Sequence, residues 1–489
     1  MTSQEPSTDT ALVPIPRTAW LAFAVVASGE IVDMLDSMVA TVAGPSILSE
    51  LGGSDVLLQW LTAAYTIAMA AGLLIGGRLG DAYGRKTMFL IGMAGFVAGS
   101  VASALAPTPE FLITARVVQG GFGAMMLPQA FGVIRETFPP ERAAVGYGAA
   151  GPLMALGSVL GPVLGGWLVS ADFFGWGWRM IFAINIPIGI TALILGAKYL
   201  PAPRRDRTIG IDTAGAILAS TALVAITFTL IEGRDYGWPW WSIALLLAGA
   251  AAVAVFAVQQ KHRGRIGKPT LIMPSLLSNH VFVGGVTTGL FFFAAFMGSG
   301  LILAVVLQIG LGMTPIASAV TMLPQALGVF VGFVLSQKLG VRRRTMISGI
   351  IIAATGQLIL AAILAWQGAS LTGWWLLPAL LVMGVGFGMA MGPFFDLIIS
   401  GVSQDETGSA SGILTALQQV GGAVGIALVG TVFFTLANLD QATSLENFTA
   451  AAVWSFVVAA GLATIATILT RLALPAHQEE AATPEEVTS

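Results

Sequence analysis

The chain has 489 residues, of which 56% are hydrophobic and 10% are charged, and its mean hydropathy is +0.86. Soluble globular proteins carry about 25% charged residues, so this composition excludes that class and indicates an integral membrane protein. The net charge of −3 argues against a nucleic-acid partner, and the absence of cysteine excludes disulfides and thiolate metal sites. The three histidines are scattered, so we expect no metal site and no cofactor.

Apolar runs long enough to cross a bilayer recur along the whole chain. A hydrocarbon core about 30 Å thick requires about 20 residues of helix. The expected fold class is therefore an all-α integral membrane protein without a soluble domain. The sequence predicts fourteen transmembrane spans, at 19–47, 56–79, 88–106, 109–135, 144–170, 176–199, 211–232, 240–259, 279–309, 315–338, 345–366, 373–400, 410–437 and 449–472.

Basic residues divide unevenly between the two sides of the predicted membrane. If residues 1–18 form a cytoplasmic tail, 19 of the 22 Lys and Arg residues fall on the cytoplasmic side. The positive-inside rule then predicts a multi-pass protein of the cytoplasmic (inner) membrane with both termini in the cytoplasm. The acidic tail, 473–489, has the composition of a disordered segment.

An internal repeat relates the two ends of the chain. GFGAMMLPQA at 121–130 is similar to GFGMAMGPFF at 386–395, and RKTM at 85–88 is similar to RRTM at 343–346. We therefore expect two six-helix halves, 19–199 and 279–472. Two extra transmembrane helices occupy the linker, 200–278. Repeated halves with a site near the membrane midplane are typical of secondary transporters.

The first span contains three acidic residues, Glu30, Asp33 and Asp36, at steps of three. This spacing places them within about 120° of one helix face and about 9 Å of rise. An ionised acid at the membrane centre costs about 2.5 to 3.5 kcal/mol, so the three must be paired, protonated or exposed to water. The face is therefore a candidate for exchanging protons and binding cations; the alternative is that the acids are merely tolerated.

The fourth span contains a buried basic residue in the stretch RVVQGGFGA, 116–124. Arg116 lies about seven residues, or about 10 Å of helix, inside the membrane, where an unpaired charge is costly. Gln119 is one turn away on the same face, and the acids of the first span are the natural counter-ions. Which of them pairs with Arg116 depends on the rotation of the helices, and the alternative is an arginine that reaches the outer surface.

The loop after the second span reads GRLGDAYGRKTM, 77–88. Its glycines permit a tight turn, and Asp81 can accept hydrogen bonds from a helix N-terminus or a basic side chain while the halves rock. The alternative is a solvated loop that only fixes topology. The residues that define this stretch are Gly77, Asp81, Gly84, Arg85 and Lys86.

The fifth span is unusually rich in glycine and proline. Three of its glycines recur every four residues and form a bare stripe along which another helix can approach closely. Pro162 removes a backbone donor, so the helix can bend. Generic packing of small residues is the alternative. The residues singled out are Gly148, Gly157, Gly161, Pro162, Gly165 and Gly166.

These motifs together resemble the major facilitator superfamily. The loop at 77–86 matches the superfamily signature between helices 2 and 3, and the fourth span is similar to its buried-arginine motif. The fifth span resembles the signature of the antiporter branch. LDSMVATVAGP, 35–45, is similar to the first-helix motif of the fourteen-helix drug/proton antiporters: Asp36 and Pro45 match, whereas Met38, Thr41 and Gly44 depart from the usual residues.

Three further residues give weaker signals. WRMIFAINIPIG, 178–189, resembles the sixth-helix pattern of the same family, which makes Asn185 a candidate for a hydrogen bond between helices. Asp396 is either a second titrating site or a water-facing residue at a helix end. Gln418 is a candidate for lining the cavity.

The resemblance implies a proton-coupled antiporter that exports lipophilic, cationic drugs by alternating access. The chain lacks the G-x-x-x-x-G-K-[ST] loop of nucleotide-binding proteins, so an ion gradient would drive transport. Expected partners are small lipophilic substrates, protons and membrane lipids, and we expect a monomer. The main alternative is a proton-coupled exporter of an endogenous secondary metabolite or lipid. An uptake symporter and a membrane sensor or enzyme fit the motifs less well.

Overall fold

A computed structural model describes residues 14–37, 46–47, 50–52, 55–139, 142–143, 145–149, 153, 164, 167–168, 171, 175–202, 212–233, 236–340, 342–368, 371–399, 401–403, 406–437 and 445–474. Its α-helices are α1 (Arg17–Ser37), α2 (Asp55–Tyr83), α3 (Arg85–Ala104), α4 (Pro109–Met126), α5 (Gln129–Thr137), α6 (Arg179–Ala183), α7 (Asn185–Tyr199), α8 (Thr213–Glu232), α9 (Trp240–Arg265), α10 (His280–Val305), α11 (Pro315–Thr321), α12 (Leu323–Leu339), α13 (Arg343–Gln367), α14 (Gly373–Ile399), α15 (Thr407–Ala437) and α16 (Leu445–Ala473).

Helices long and apolar enough to cross a membrane make up most of the described chain. Within the described residues there are eleven such helical stretches, and α12 is a shorter apolar helix. The predicted all-α membrane fold is confirmed. Of the fourteen predicted spans, thirteen overlap described helices. The other, 144–170, lies mostly outside the described residues.

Three spans predicted as continuous helices are interrupted. The breaks separate α4 from α5, α6 from α7, and α11 from α12. A proline lies at or just after each break: Pro128, Pro187 and Pro324. Proline has no amide hydrogen, so it cannot bond to the carbonyl four residues earlier, and its ring crowds that carbonyl. The prolines were visible in the sequence, but apolar length alone does not show whether a helix kinks or stops.

The two halves of the chain repeat one packing pattern. In the first half α4 packs against both α2 and α3, and in the second half α14 packs against both α12 and α13. Small residues permit these close approaches, as is usual between membrane helices. A Cβ atom added at Gly120 would meet the backbone of Tyr65, and one added at Gly332 would meet the backbone of Val385.

The halves contact each other at the end of the bundle that carries Arg85, Lys86, Lys338 and Arg343, which we call the basic end. The rings of Phe131 and Phe395 lie 5.0 Å apart between centroids. Phe131 lies in α5, and a second residue of this helix, Arg135, reaches the C-terminal end of α14. There Arg135 donates from Nη2 to the carbonyl of Val402 at 2.7 Å and from Nη1 to that of Ile399 at 3.4 Å. Among the described residues, the halves are therefore in direct contact at the basic end.

The two helices between the halves, α8 and α9, pack on each other, and α8 also contacts α2 of the first half and α15 of the second. Ser220 of α8 donates a hydrogen bond to the carbonyl of Ala71. Asp212 caps α8 by accepting from the amide of Gly215 at 2.9 Å, and it also accepts from Gln260 of α9 at 2.7 Å. The pair is therefore fastened to both halves.

Candidate functional site

The acidic residues of α1 lie in three different environments. Asp36 is fully buried, whereas Glu30 and Asp33 are partly exposed. One helix face carries all three because their spacing of three residues is close to the helical repeat. Helix rotation, which the sequence leaves open, decides what each of them meets.

Asp36 is the acid that pairs with Arg116. Nη1 of Arg116 donates to Oδ2 of Asp36, and both side chains are almost completely buried. Nε of Arg116 donates to the carbonyl of Leu61 at 3.0 Å, so the guanidinium is held from two directions. In the structure the arginine is buried and forms an ion pair with the first span. The alternative is that the arginine reaches the outer surface, but the side chain of Arg116 is only 1% exposed.

Gln119, Asn185 and Ser100 complete the hydrogen bonding around Asp36. Gln119 accepts from Arg116 at 2.9 Å and donates to Oδ1 of Asp36 at 3.0 Å. Asn185, the first residue of α7, donates to the same oxygen at 3.1 Å. Ser100 of α3 lies within reach of both amides, at 2.9 Å from Gln119 and 3.4 Å from Asn185. Both carboxylate oxygens are therefore acceptors, the arrangement that an ionised carboxylate needs in a dry interior.

Asp33 and a tyrosine form the next layer of the site. The hydroxyl of Tyr65, in α2, donates to Oδ1 of Asp33. The ring of the same tyrosine lies under the Arg116 guanidinium, with 4.3 Å between Cζ and the ring centroid. Tyr65 thus connects the Asp36 pair to Asp33 through a cation–π contact and a hydrogen bond. Sequence reasoning missed both Tyr65 and Ser100, although a tyrosine in an apolar span of a chain with only five tyrosines is a usable signal.

Glu30 lies nearer the basic end, beside a small cavity between the halves. The cavity measures about 30 Å³, and its lining includes Glu30 of α1, Tyr147 and Gln418 of α15. The role of Gln418 in lining the transport cavity stays a prediction. Its neighbour Gln419 contacts the other half, with Nε2 lying 3.7 Å from the sulfur of Met69.

The loop between α2 and α3 carries an ion-pair network at the basic end. Gly84 has a φ of 91°, a conformation that L side chains rarely adopt. Arg85 bridges Asp81 at 3.2 Å and Glu136 of α5 at 2.9 Å. Lys86 donates to the carbonyls of Ala197 and Leu200, at 2.6 and 3.2 Å, near the end of α7. These contacts fasten the loop to other helices, so a merely solvated loop does not describe it.

Gly77 of the same motif lies where the halves meet. A Cβ atom added at Gly412 of α15 would lie 3.7 Å from the Cα of Gly77. Gly148, the first glycine of the fifth-span motif, also lies between the halves, because a Cβ atom there would meet Phe333 and Gln337 of α12. The remaining motif residues, Gly157, Gly161, Pro162, Gly165 and Gly166, lie outside the described residues.

Asp396 lies in the last turn of α14, at the basic end, and is partly exposed. It is three residues before Ile399, whose carbonyl accepts from Arg135. The structure does not bring Asp396 into the network around Asp36. The role of Asp396, as a second titrating site or as a water-facing residue at a helix end, stays a prediction.

A sequence model of the Major Facilitator Superfamily matches residues 26–208 and 197–426. The probable actinorhodin transporter of Streptomyces coelicolor is 42% identical over 433 residues, which cover 88% of this chain and 75% of that protein. The puromycin resistance protein of Streptomyces alboniger is 34% identical over 433 residues, covering 86% of this chain and 82% of that protein. Among solved structures, the proton:xylose symporter XylE has a TM-score of 0.66 at 17% identity, covering 94% of this chain and 97% of that one. This last likeness is one of fold alone.

Proposed function

The chain belongs to the drug-exporter family of the major facilitator superfamily, and on that premise we propose that it is a proton-coupled antiporter of lipophilic, cationic compounds. It is a membrane transporter and not an enzyme. Export from the cytoplasm is supported by the two relatives, one named for transport of actinorhodin and the other for resistance to puromycin. In this proposal the basic end faces the cytoplasm, in keeping with the positive-inside rule.

The observation that carries the proposal is the buried pair between Asp36 and Arg116. Charges inside a membrane bundle are costly and are typical of ion pathways and proton relays. Protonation of Asp36 removes one charge of the pair and leaves Arg116 with only Gln119, Tyr65 and the Leu61 carbonyl. Proton binding therefore changes the stability of the packing between α1 and α4. That change is the link through which a proton gradient can drive a conformational change.

We assign the binding of substrate cations to the two less buried acids, Glu30 and Asp33. Both are carboxylates on the face of α1 that also carries Asp36, and the ring of Tyr65 adjoins Asp33. Aromatic faces and carboxylates are the groups that bind organic cations. A ligand shifts a conformational equilibrium only through different affinities for the two states, and competition of protons and cations for this face supplies such a difference.

Alternating access requires a contact between the halves that can open. The basic end supplies one, since Gly77 and Gly148 place the halves in close contact without interlocking side chains. Arg135 and the Phe131 and Phe395 rings add contacts that must separate when the cytoplasmic side opens. In this proposal, contact between the halves at the basic end belongs to a state in which the exporter faces outward or is occluded.

A second candidate function is proton-coupled export of one endogenous secondary metabolite or lipid. It is favoured by the fact that each of the two relatives is named for a single compound. The departures at Met38, Thr41 and Gly44 from the first-helix motif point the same way. The two functions use the same coupling machinery and differ only in substrate range.

Growth of a host that lacks its own efflux pumps tests the proposal. Wild-type protein and the Asp36→Asn variant are expressed at equal levels, and inhibition is measured for several lipophilic cations, puromycin and a neutral lipophilic compound. We expect wild-type protein to raise tolerance to several cations and Asp36→Asn to lose that effect. Tolerance to one compound only would favour the second candidate. No change with any compound would contradict the drug-export proposal.

A further inference from the structure

An apolar groove lies beside the extra helices. Its volume is about 500 Å³, within the usual range of about 300 to 1,000 Å³ for small-molecule sites. Its walls come from α8, α9, α10 and α15, with Leu74 of α2 at its base. The one hydroxyl in the lining, that of Thr287, donates within its own helix to the carbonyl of Val283. The lining can therefore contact a hydrocarbon chain, but it has no free polar group with which to hydrogen-bond a ligand.

The groove opens sideways, towards the surface that faces the bilayer. Two of its lining residues, Val253 of α9 and Val283 of α10, are 43% and 42% exposed. On α10 the lining runs from Phe282 to Leu290, which is about 12 Å of helix, beginning at the basic end. One leaflet contributes about 15 Å to a hydrocarbon core of about 30 Å. The groove thus matches the length of one acyl chain in the leaflet next to the basic end.

Basic side chains continue the groove beyond the membrane. On α9 the residues Val253 and Ala257 line the groove, and at the same spacing of four residues the next positions are Lys261 and Arg265, both exposed. On the other side, His280 is three residues before Val283 and is exposed as well. A molecule seated in the groove would therefore place its polar end beside the positive charges of Lys261 and Arg265.

From the apolar walls, the length and this charge complementarity, we propose that the groove binds an acyl chain of an anionic phospholipid. Lys261 and Arg265 bind its phosphate group. The lipid covers the seam at which Leu74 of the first half meets Ala416 and Leu417 of the second, so it stabilises the contact between the halves on the side where α8 bridges them. The assignment of this site to the cytoplasmic leaflet rests on the proposed function, which places the basic end in the cytoplasm. Lipid binding itself can be measured without a transport assay.

Single-cysteine variants give a direct test, because the chain contains no cysteine of its own. Val253→Cys lies in the groove, and Val255→Cys lies on the opposite side of α9. Each is labelled with bimane and reconstituted in phosphatidylcholine nanodiscs containing a minor share of phosphatidylglycerol with brominated acyl chains. We expect stronger quenching at position 253 than at 255, and no such difference with brominated phosphatidylcholine. Equal quenching at the two positions would overturn the proposal.

Charge removal tests the headgroup contact. In the Val253→Cys background, Lys261→Gln with Arg265→Gln should weaken phosphatidylglycerol binding by about fivefold for each charge, the scale for a basic side chain at an anionic membrane surface. The control, Arg17→Gln with Lys338→Gln, removes two exposed charges away from the groove and should have no effect. Quenching that is indifferent to Lys261 and Arg265 would overturn the assignment of an anionic lipid.

Filling the groove gives a second, independent measurement. Ala250→Phe places a ring in the groove, whereas Ala251→Phe makes the same change on the lipid-facing side of α9. Native mass spectrometry of the full chain should show retained phosphatidylglycerol for the wild type and Ala251→Phe, and loss of it for Ala250→Phe. Retention by Ala250→Phe would contradict the site. Displacement of the lipid by a lipophilic cation would identify the groove as a substrate entrance instead.

Discussion

At the scale of single residues, the site is organised around one buried carboxylate, whose two oxygens both accept hydrogen bonds. Asp36 accepts hydrogen bonds from Arg116, Gln119 and Asn185, which come from α4 and α7. The sequence predicts that acids of the first span meet Arg116, because an unpaired charge in a membrane is costly. It does not predict which acid does so, since that depends on how α1 is rotated against α4.

The buried pair yields a prediction for stability. Removing one member of a buried ion pair leaves the other charge unpaired and costs about 3 to 5 kcal/mol. Arg116→Gln should therefore be strongly destabilising, and combining it with Asp36→Asn should cost less than the sum of the two single changes. A double-mutant cycle on thermal unfolding in detergent measures this difference. Additive effects would show that the two side chains do not stabilise each other.

Gly84 provides a prediction about backbone conformation. Its φ of 91° is unfavourable for residues with a Cβ atom, so Gly84→Ala should destabilise the protein by about 1 to 3 kcal/mol. The matched control is Gly461→Ala in α16, where a Cβ atom has open space and alanine favours the helix. Melting temperatures of the two variants should move in opposite directions. A Gly84→Ala variant as stable as the wild type would be inconsistent with the turn.

At the scale of helices, the length of an apolar run predicts well that a membrane helix is present, but it predicts poorly whether that helix is continuous. The bilayer fixes the number of residues a span needs, so thirteen predicted spans overlap described helices. The breaks near Pro128, Pro187 and Pro324 escaped prediction because a proline can either kink a membrane helix or end it. Tyr65 is marked in the sequence as a rare tyrosine in an apolar span, but its partners, Asp33 and Arg116, depend on how α2 packs against α1 and α4.

The contact at Gly148 yields a prediction for closure of the basic end. Gly148→Leu would place a side chain against Phe333 and Gln337 and hold the halves apart, whereas Gly121→Leu in α4 enters open space. Val402→Cys, buried at this contact, reports the change through its rate of labelling by a polar maleimide. We expect faster labelling with Gly148→Leu and an unchanged rate with Gly121→Leu. Equal rates in all three proteins would argue against a closed contact at Gly148.

The start of α15 yields a prediction about pH. Partial burial raises the pKa of the Glu406 carboxyl, but the carboxyl also accepts hydrogen bonds from Ser275 and from the amide of Ser403, which lower it. The hydrogen bonds outweigh the burial, so the pKa of Glu406 lies below its usual value. A carboxylate whose pKa is lower in the folded state stabilises the fold above its unfolded pKa of about 4.3, and this contribution is lost as the pH falls through the folded value.

Glu406→Gln should therefore be less stable than the wild type at pH 7. The difference between the two proteins should shrink as the pH falls below about 4, because the wild-type carboxyl then becomes protonated too. Melting temperatures measured from pH 7 to pH 3 follow this convergence. A difference that stays constant over the range would show that the charge of Glu406 does not contribute.

At the scale of the whole molecule, the repeat is visible in both sequence and packing. The stretches at 121–130 and 386–395 are similar, and the helices in which they begin, α4 and α14, hold equivalent positions in their halves. The sequence predicts this architecture because similar stretches recur at corresponding positions. It does not predict that α8 bridges the halves, because the repeat contains no counterpart for the extra pair and hydropathy carries no information about which neighbour a helix chooses.

The central claim, that proton exchange at the Asp36 site drives export, is tested most directly in inside-out membrane vesicles. A proton gradient is imposed, a lipophilic dye cation is added, and dye uptake and proton release are recorded together for the wild type, Asp36→Asn, Asp33→Asn and Glu30→Gln. We predict dye uptake with counter-flow of protons in the wild type, its loss in Asp36→Asn, and a changed dye preference with retained coupling in the other two. Dye uptake and proton release that persist in Asp36→Asn would contradict the account.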